Sequence, residues 1–234
     1  SESGCCYPGK GMRWRFGNGC RLDGPTGEII EPLGSRSVKN AEDAFLQQAT
    51  GLAEAGADLI WIETMSDLNE LQAACNAASK TALPFAATMS FDTAGSTMMG
   101  VSPAQFVKFM KNIPASAYGA NCGVGPDQLL QTIGEMKNAR GKNLIAKGNC
   151  GIPVFQEGEI RYTGTEHVMA NYATEVRNLE AELIGGCCGT TDAHLYAMTH
   201  ELETQPYQPN KLEINPQSDE KPKSSTKRRR RRSS

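Results

Sequence analysis

Three cysteines lie where a chain could use them for chemistry. Cys187 and Cys188 are adjacent, inside Ile184-Gly185-Gly186-Cys187-Cys188-Gly189-Thr190-Thr191, and Cys122 sits in Tyr118-Gly119-Ala120-Asn121-Cys122-Gly123. Both segments read as a short apolar strand running into glycine. Neighbouring side chains on a strand point to opposite faces. Two adjacent thiolates can therefore reach one ion only if the backbone leaves the strand, which Gly185, Gly186 and Gly189 permit. Three thiolates from two strand ends predict a zinc site with one coordination position open, the catalytic rather than the structural pattern. Buried structural cysteine is the plainer alternative. A redox pair at Cys187–Cys188 is disfavoured, because adjacent cysteines form a strained disulfide and no Cys-x-x-Cys is present. Cys150 also lies at a strand end. Cys75 reads as helix core. His167, His194 and His200 fall on helices and read as surface residues.

The elements that must position these cysteines follow from hydrophobic periodicity. Helices are expected over 37–56, from Asp67 to about Lys80, from Ser102–Pro103 to about 112, and over 126–138, 166–179 and 191–202. Glu70, three residues after Asp67, stands in a capping-box-like position. Strands are expected over 58–63, 84–90, 117–121, 144–147 and 181–184, with a small hairpin within 156–163. Such alternation implies a parallel sheet covered by helices. Each strand ends in a polar or reactive residue: Glu63, Ser90, Asn121–Cys122, Asn149 and Cys187–Cys188. That is the layout of a TIM barrel, whose active site lies at the C-terminal strand ends. An open doubly wound sheet would alternate in the same way, but a closed barrel brings the third and fifth strands together more readily. Five full units and the helix before them are visible, with a strand remnant near 20–24. The expected fold is therefore an α/β (β/α)8 barrel, incomplete at the N-terminus, with about five to six units.

Composition bounds the rest. The chain has 234 residues, 39% of them hydrophobic, and a net charge of −2. The charge is uneven: residues 205–234 carry nine Lys and Arg against three Asp and Glu, or +6, which leaves −8 on residues 1–204. An acidic body makes nucleic acid an unexpected partner. No apolar run is long enough for a bilayer and no signal peptide is visible, so a cytoplasmic protein with reduced cysteines is expected. Three regions are expected: an irregular leader at 1–22, the partial barrel at 23–204, and a disordered basic tail at 205–234. In the tail, Lys227 and Arg228 to Arg232 read as a solvated charge run, with RNA contact or a nuclear localisation signal as alternatives.

The two cysteine motifs, Gly119-Ala120-Asn121-Cys122-Gly123 and Gly185-Gly186-Cys187-Cys188-Gly189-Thr190, resemble the paired zinc signatures of the cobalamin-independent homocysteine S-methyltransferase family. Gly24-Pro25-Thr26-Gly27-Glu28, Trp61-Ile62-Glu63-Thr64-Met65 and Lys147-Gly148-Asn149-Cys150-Gly151 are similar to that family too, most of all to its bacterial betaine–homocysteine methyltransferase-like branch. The resemblance covers about 23 to 203. It implies a barrel, with Zn2+ on Cys122, Cys187 and Cys188. It further implies transfer of a methyl group from a betaine-like or sulfonium donor to the thiol of homocysteine, giving methionine. Glu63, Asn121 and Asn149 are the expected substrate-binding residues, and the resemblance would put the homocysteine amino group on Glu63. The family's N-terminal Asp-Gly motif has no counterpart in residues 1–22, so a truncated chain is expected, with unpaired sheet edges that favour homo-oligomers. The alternative is a catalytically impaired zinc-binding fragment acting through its basic tail.

Overall fold

A computed structural model describes residues 24–156 and 158–209, together with the backbone of 6–8 and 20–22. The basic run at 228–232 and most of the leader at 1–22 lie outside the described residues. In chain order the elements are β1 (Cys6–Pro8), β2 (Cys20–Leu22), α1 (Val38–Glu54), β3 (Ile60–Met65), α2 (Leu68–Ser79), β4 (Phe85–Met89), α3 (Pro103–Met110), β5 (Ala117–Cys122), α4 (Pro126–Asn138), β6 (Leu144–Gly148), β7 (Pro153–Gln156), β8 (Glu159–Tyr162), α5 (Glu166–Asn178), β9 (Ala181–Gly186) and α6 (Asp192–Thr204). The main sheet has the order β1-β9-β6-β5-β4-β3-β2, and β7 pairs only with β8 as a hairpin. From β2 to β9 every neighbour is parallel. The fold is thus the expected α/β alternation. Among the described residues the sheet is not closed into a full barrel.

Two features depart from the sequence reading. Cys6–Pro8, where no strand period is visible, pairs antiparallel with β9. The central strands also run one or two residues further than the apolar pattern, so Met65, Cys122 and Gly186 are still in the ladder. Pairing with the next strand continues there, past Glu63, Asn121 and Gly185, where the apolar run is interrupted.

The strands alternate between two apolar layers, as the pleat requires. Ile60, Ile62, Ala87, Met89, Tyr118, Ala120, Ala146 and Ile184 pack with the helices in the larger core. Leu59, Trp61, Ala86, Ala117, Ile145 and Leu183 form a separate cluster on the opposite, inner face. Following that alternation upward, Glu63, Thr88, Gly119, Asn121, Lys147 and Gly185 belong to the inner face. Its middle strands therefore carry small residues, with long ones on β3 and β6 to either side. Gly119 is required for close approach: a Cβ there would lie 1.9 Å from the Ile145 carbonyl oxygen.

Local sequence sets the helix starts. Helix α3 starts at Ser102 and Pro103, as the sequence predicts, and Ser102 and Gln105 form a reciprocal capping box there. Asp67 caps α2 by accepting from Asn69 N and Glu70 N. Glu70 does not complete a capping box, however. Its buried carboxylate accepts instead from Thr26 N at 2.6 Å and Thr26 Oγ1 at 2.7 Å. The Gly24-Pro25-Thr26-Gly27 turn is thereby tied to α2. His194 is likewise more than a surface residue, since its Nδ1 accepts from Thr191 N at 3.1 Å and closes the α6 cap.

Candidate metal centre

The site is built where β5, β6 and β9 end. Strand alternation alone would turn Cys122 away from Asn121, toward the helix side. The backbone breaks that rule: Cys122 has φ 57° and Gly123 φ 76°. A left-handed conformation at a residue with a side chain is uncommon and costs energy that the surroundings must supply. Here it swings the sulfur toward β9. Past the end of β9, Cys187 N donates to Gly148 O at 2.7 Å, and Cys150 N donates to Cys188 O at 2.9 Å. These bonds anchor the turn to β6 and set the adjacent sulfurs side by side.

The three sulfurs converge. Cys122 Sγ lies 3.0 Å from Cys187 Sγ and 3.9 Å from Cys188 Sγ, and the last pair is 4.0 Å apart. Among the described residues, this trio forms the cluster able to offer three ligand atoms to one ion. Zinc–sulfur bonds of about 2.3 Å at tetrahedral angles would hold sulfurs about 3.8 Å apart. Two of the three edges already fit, and the Cys122–Cys187 edge would have to open by about 0.8 Å. A set of three thiols and no carboxylate suits a soft or borderline cation.

Charge is shared unevenly within the trio. The Cys187 thiol is held down to about 6, first by a hydrogen bond from Cys122 and then by the Lys147 ammonium. Cys122 is pushed up for the reciprocal reason, as the donor in that bond, and burial adds to the shift. Cys188 is raised by burial and by the neighbouring Cys187 charge. Two of these thiols thus hold their protons more tightly than usual, and a bound cation would displace them.

Two asparagines brace the loops. Asn149 Nδ2 donates to Gly123 O at 2.7 Å, and its Oδ1 accepts from Cys188 N at 3.1 Å. One side chain therefore clamps both cysteine turns. Asn121 is fully buried; its Nδ2 donates to Thr64 Oγ1 at 2.7 Å and its Oδ1 accepts from Thr64 N at 3.0 Å. Its Nδ2 also faces Cys187 Sγ at 3.9 Å. The sequence reading expects both as substrate contacts. The structure places both at the site, with bonds that position the ligand loops.

Glu63 is brought there by a bulge. The β3–β4 register runs from Ile62–Ala87 to Met65–Met89, so Glu63 and Thr64 together oppose Thr88. Thr64, at φ 62°, is the residue that makes the bend. Glu63 is 4% exposed and pairs with Lys147 Nζ at 2.5 Å. Lys147 Nζ also lies 5.1 Å from the centre of the Trp61 ring. Sequence reasoning missed Lys147, although a charged residue two positions after Ile145 is a signal in its own right. Tyr162, also missed, comes from the β7–β8 hairpin and lays its ring against Gly189, next to Cys188, and nothing in its local sequence marks it. Cys150 is buried and packs against Gly164, outside the sulfur cluster.

The family model for homocysteine S-methyltransferase matches residues 22–202. Methionine synthase of Mycobacterium tuberculosis is 26% identical over 176 residues, covering 72% of this chain and 15% of that protein. Betaine–homocysteine S-methyltransferase 1 of Rattus norvegicus is 29% identical over 187 residues, covering 73% of this chain and 46% of that one. The apo crystal structure of the homocysteine methyltransferase MmuM from Escherichia coli superposes with a TM-score of 0.61 at 21% identity, over 76% of this chain and 61% of that chain. Its metallated form gives 0.55 at 22% identity, over 71% and 52%. The chain thus spans under half the length of these curated relatives, and the structural likeness speaks for the fold.

Proposed function

The chain belongs to the homocysteine S-methyltransferase family, and from that premise we propose that it holds zinc on Cys122, Cys187 and Cys188 and presents the thiol of homocysteine for methylation, giving methionine. The observation that carries this reading is the convergence of the three sulfurs, within 4.0 Å of one another, beside a buried Glu63. Zinc bound there would supply an open fourth position at which a thiol is held as thiolate near neutral pH.

The chain's own residues would do the remaining work. Asn149 keeps the two cysteine turns at fixed separation. Asn121 and Thr64 fix the end of β3, and with it the direction of Glu63. Glu63 would take the ammonium group of the amino acid, as the resemblance implies. The methyl donor would be a quaternary ammonium or sulfonium compound. The sulfur lone pair forms the new S–C bond as the donor's N–C or S–C bond breaks, and the bond pair leaves with the donor. A cation and a thiolate become two uncharged groups, so a site with little water favours the transition state. Soft-ligand chemistry and the lack of any need for a general base both suit a site made of sulfur and amide groups. No helix of the described residues is long and apolar enough to cross a membrane; a cytoplasmic enzyme acting on small molecules is the reading we adopt.

The test is direct. The full chain, reconstituted with zinc, should bind about one ion, and Cys187→Ala should lose it on dialysis. Methionine should form from homocysteine with betaine or S-methylmethionine when the zinc chain is present. Full zinc retention by Cys187→Ala would remove that residue from the ligand set. Zinc binding with no uptake of homocysteine would leave a metal-binding protein and overturn the enzymatic reading.

A further inference from the structure

Lys147 is the group on this face that the reaction described above does not use. It sits on β6 in register with Asn121 and Gly185. Its ammonium reaches across two strands to Glu63, at 2.5 Å, and lies over the Trp61 ring. A buried ion pair is a poor device for stability, since desolvation offsets most of the attraction. The neighbours on this face are apolar: Trp61, Ala86, Ala117 and Ile145. Two more polar groups lie on it. Thr88 Oγ1 and Trp61 Nε1 are both buried without a hydrogen-bond partner among the described residues. Thr88 stands directly opposite Glu63 across the bulge. Buried polar atoms left unpaired call for an explanation, and a polar ligand is one.

We propose that Lys147 is a specificity-determining residue that receives the carboxylate of an α-amino acid substrate while Glu63 receives its ammonium. This rests on the homocysteine reading above and extends it to the other charged end of the head group. A lone buried Glu63 would favour a substrate with a net positive head group, such as an amino ester. Glu63 and Lys147 together form a neutral pair, and a neutral pair matches a zwitterion charge for charge. Each substrate charge meets its opposite with no net charge added to the interior. When no substrate is bound, the two side chains satisfy each other. The Thr88 hydroxyl, on the adjacent strand, is a second donor on the same face. Cys187 lies two residues beyond Gly185, the register partner of Lys147, just past the end of β9, so the head-group pair and the sulfur cluster stand at the same end of the sheet.

The experiment is calorimetric titration of the zinc-loaded full chain with L-homocysteine and with L-homocysteine methyl ester, which keeps the ammonium and thiol but loses the carboxylate charge. The wild type should prefer the free acid. Lys147→Met should weaken the free acid by about ten- to hundredfold, the loss of one charge-assisted contact. It should leave the ester as tight or tighter, because the ester's ammonium no longer competes with Lys147 for Glu63. The preference between the two ligands should therefore reverse. Should the single variant fail to fold, Glu63→Gln/Lys147→Met removes both charges. Compared with Glu63→Gln alone, it should show the same loss of preference for the acid. An unchanged acid-to-ester ratio, or an equal loss for both ligands, would overturn the role of Lys147 while leaving the thiol site standing. A wild-type chain that binds zinc but neither thiol would overturn the homocysteine reading and this inference with it.

Discussion

Cys187 is the thiol that its surroundings ionise most readily, and Cys75 the reverse. Held down to about 6 by the Cys122 hydrogen bond and Lys147, Cys187 in the metal-free chain ionises at lower pH than an ordinary thiol. Burial pushes Cys75 up to about 12. A lowered value means that reactivity is present above the folded pKa and is lost as pH falls through it. Iodoacetamide at pH 7 should therefore label Cys187 first, more slowly as pH falls past about 6, and should spare Cys75 until the chain unfolds. Zinc should protect Cys187. Peptide mapping by mass spectrometry reads both effects, and labelling of Cys75 or Cys150 ahead of Cys187 would contradict the assigned charge distribution. The three cysteines were legible in the sequence because glycine-flanked sulfur at strand ends is rare. Lys147 was not, because its partner is 84 positions away and nothing local distinguishes a buried ion pair from a solvated one.

Between neighbouring elements, the site depends on contacts that bind one turn to another. Asn149 holds the β5 turn and the β9 turn at once, so Asn149→Ala should lower zinc affinity by about ten- to hundredfold, the usual effect of losing a group that orients metal ligands. Competition with a chelator of known affinity measures it, and unchanged affinity would show that the turns hold themselves. Gly189 adds a second case. It has φ 77°, and a Cβ there would lie 2.3 Å from Cγ of the Tyr162 ring. Gly189→Ala should cost about 1–3 kcal/mol through both strain and overpacking, and should push the Tyr162 ring away from the cysteine turn. Urea titration of the zinc-free chain checks the first effect. The helices and strands themselves were readable from apolar period and caps. The bulge at Glu63–Thr64 was not, because an extra residue leaves the run of residue types unchanged and is seen only when the partner strand is in place. The same applies to Glu70, whose helical spacing from Asp67 predicts a cap but whose carboxylate serves a turn 44 residues away.

Across the whole molecule, the parallel order from β2 to β9 was readable because alternating strands and helices admit few other arrangements. The antiparallel contact of Cys6–Pro8 with β9 was not, since three residues carry no period. The far end of the folded body also differs from the sequence reading, in which residue 205 begins a tail. Arg177 donates through Nη1 to Leu202 O and Gln205 O, and through Nη2 to Pro206 O at 3.0 Å. Gln208 N donates to Asn178 Oδ1 at 3.1 Å. Residues 206–208 are thus fastened to the end of α5, although their composition is that of a linker. Backbone carbonyls make most of these bonds, so side-chain patterns could not have revealed them. Two deletions separate the alternatives. Removing 210–234 takes away all nine basic residues of the tail but none of these bonds, and the melting temperature should hold. Removing 206–234 also severs the Pro206 and Gln208 contacts, each worth about 1 kcal/mol. The melting temperature should then fall by about 2–4 °C for each kcal/mol lost in a chain of this size. Equal melting temperatures for the two deletions would put the boundary back at residue 205, and would mean that Arg177 finds equivalent partners in Leu202 and Gln205 alone.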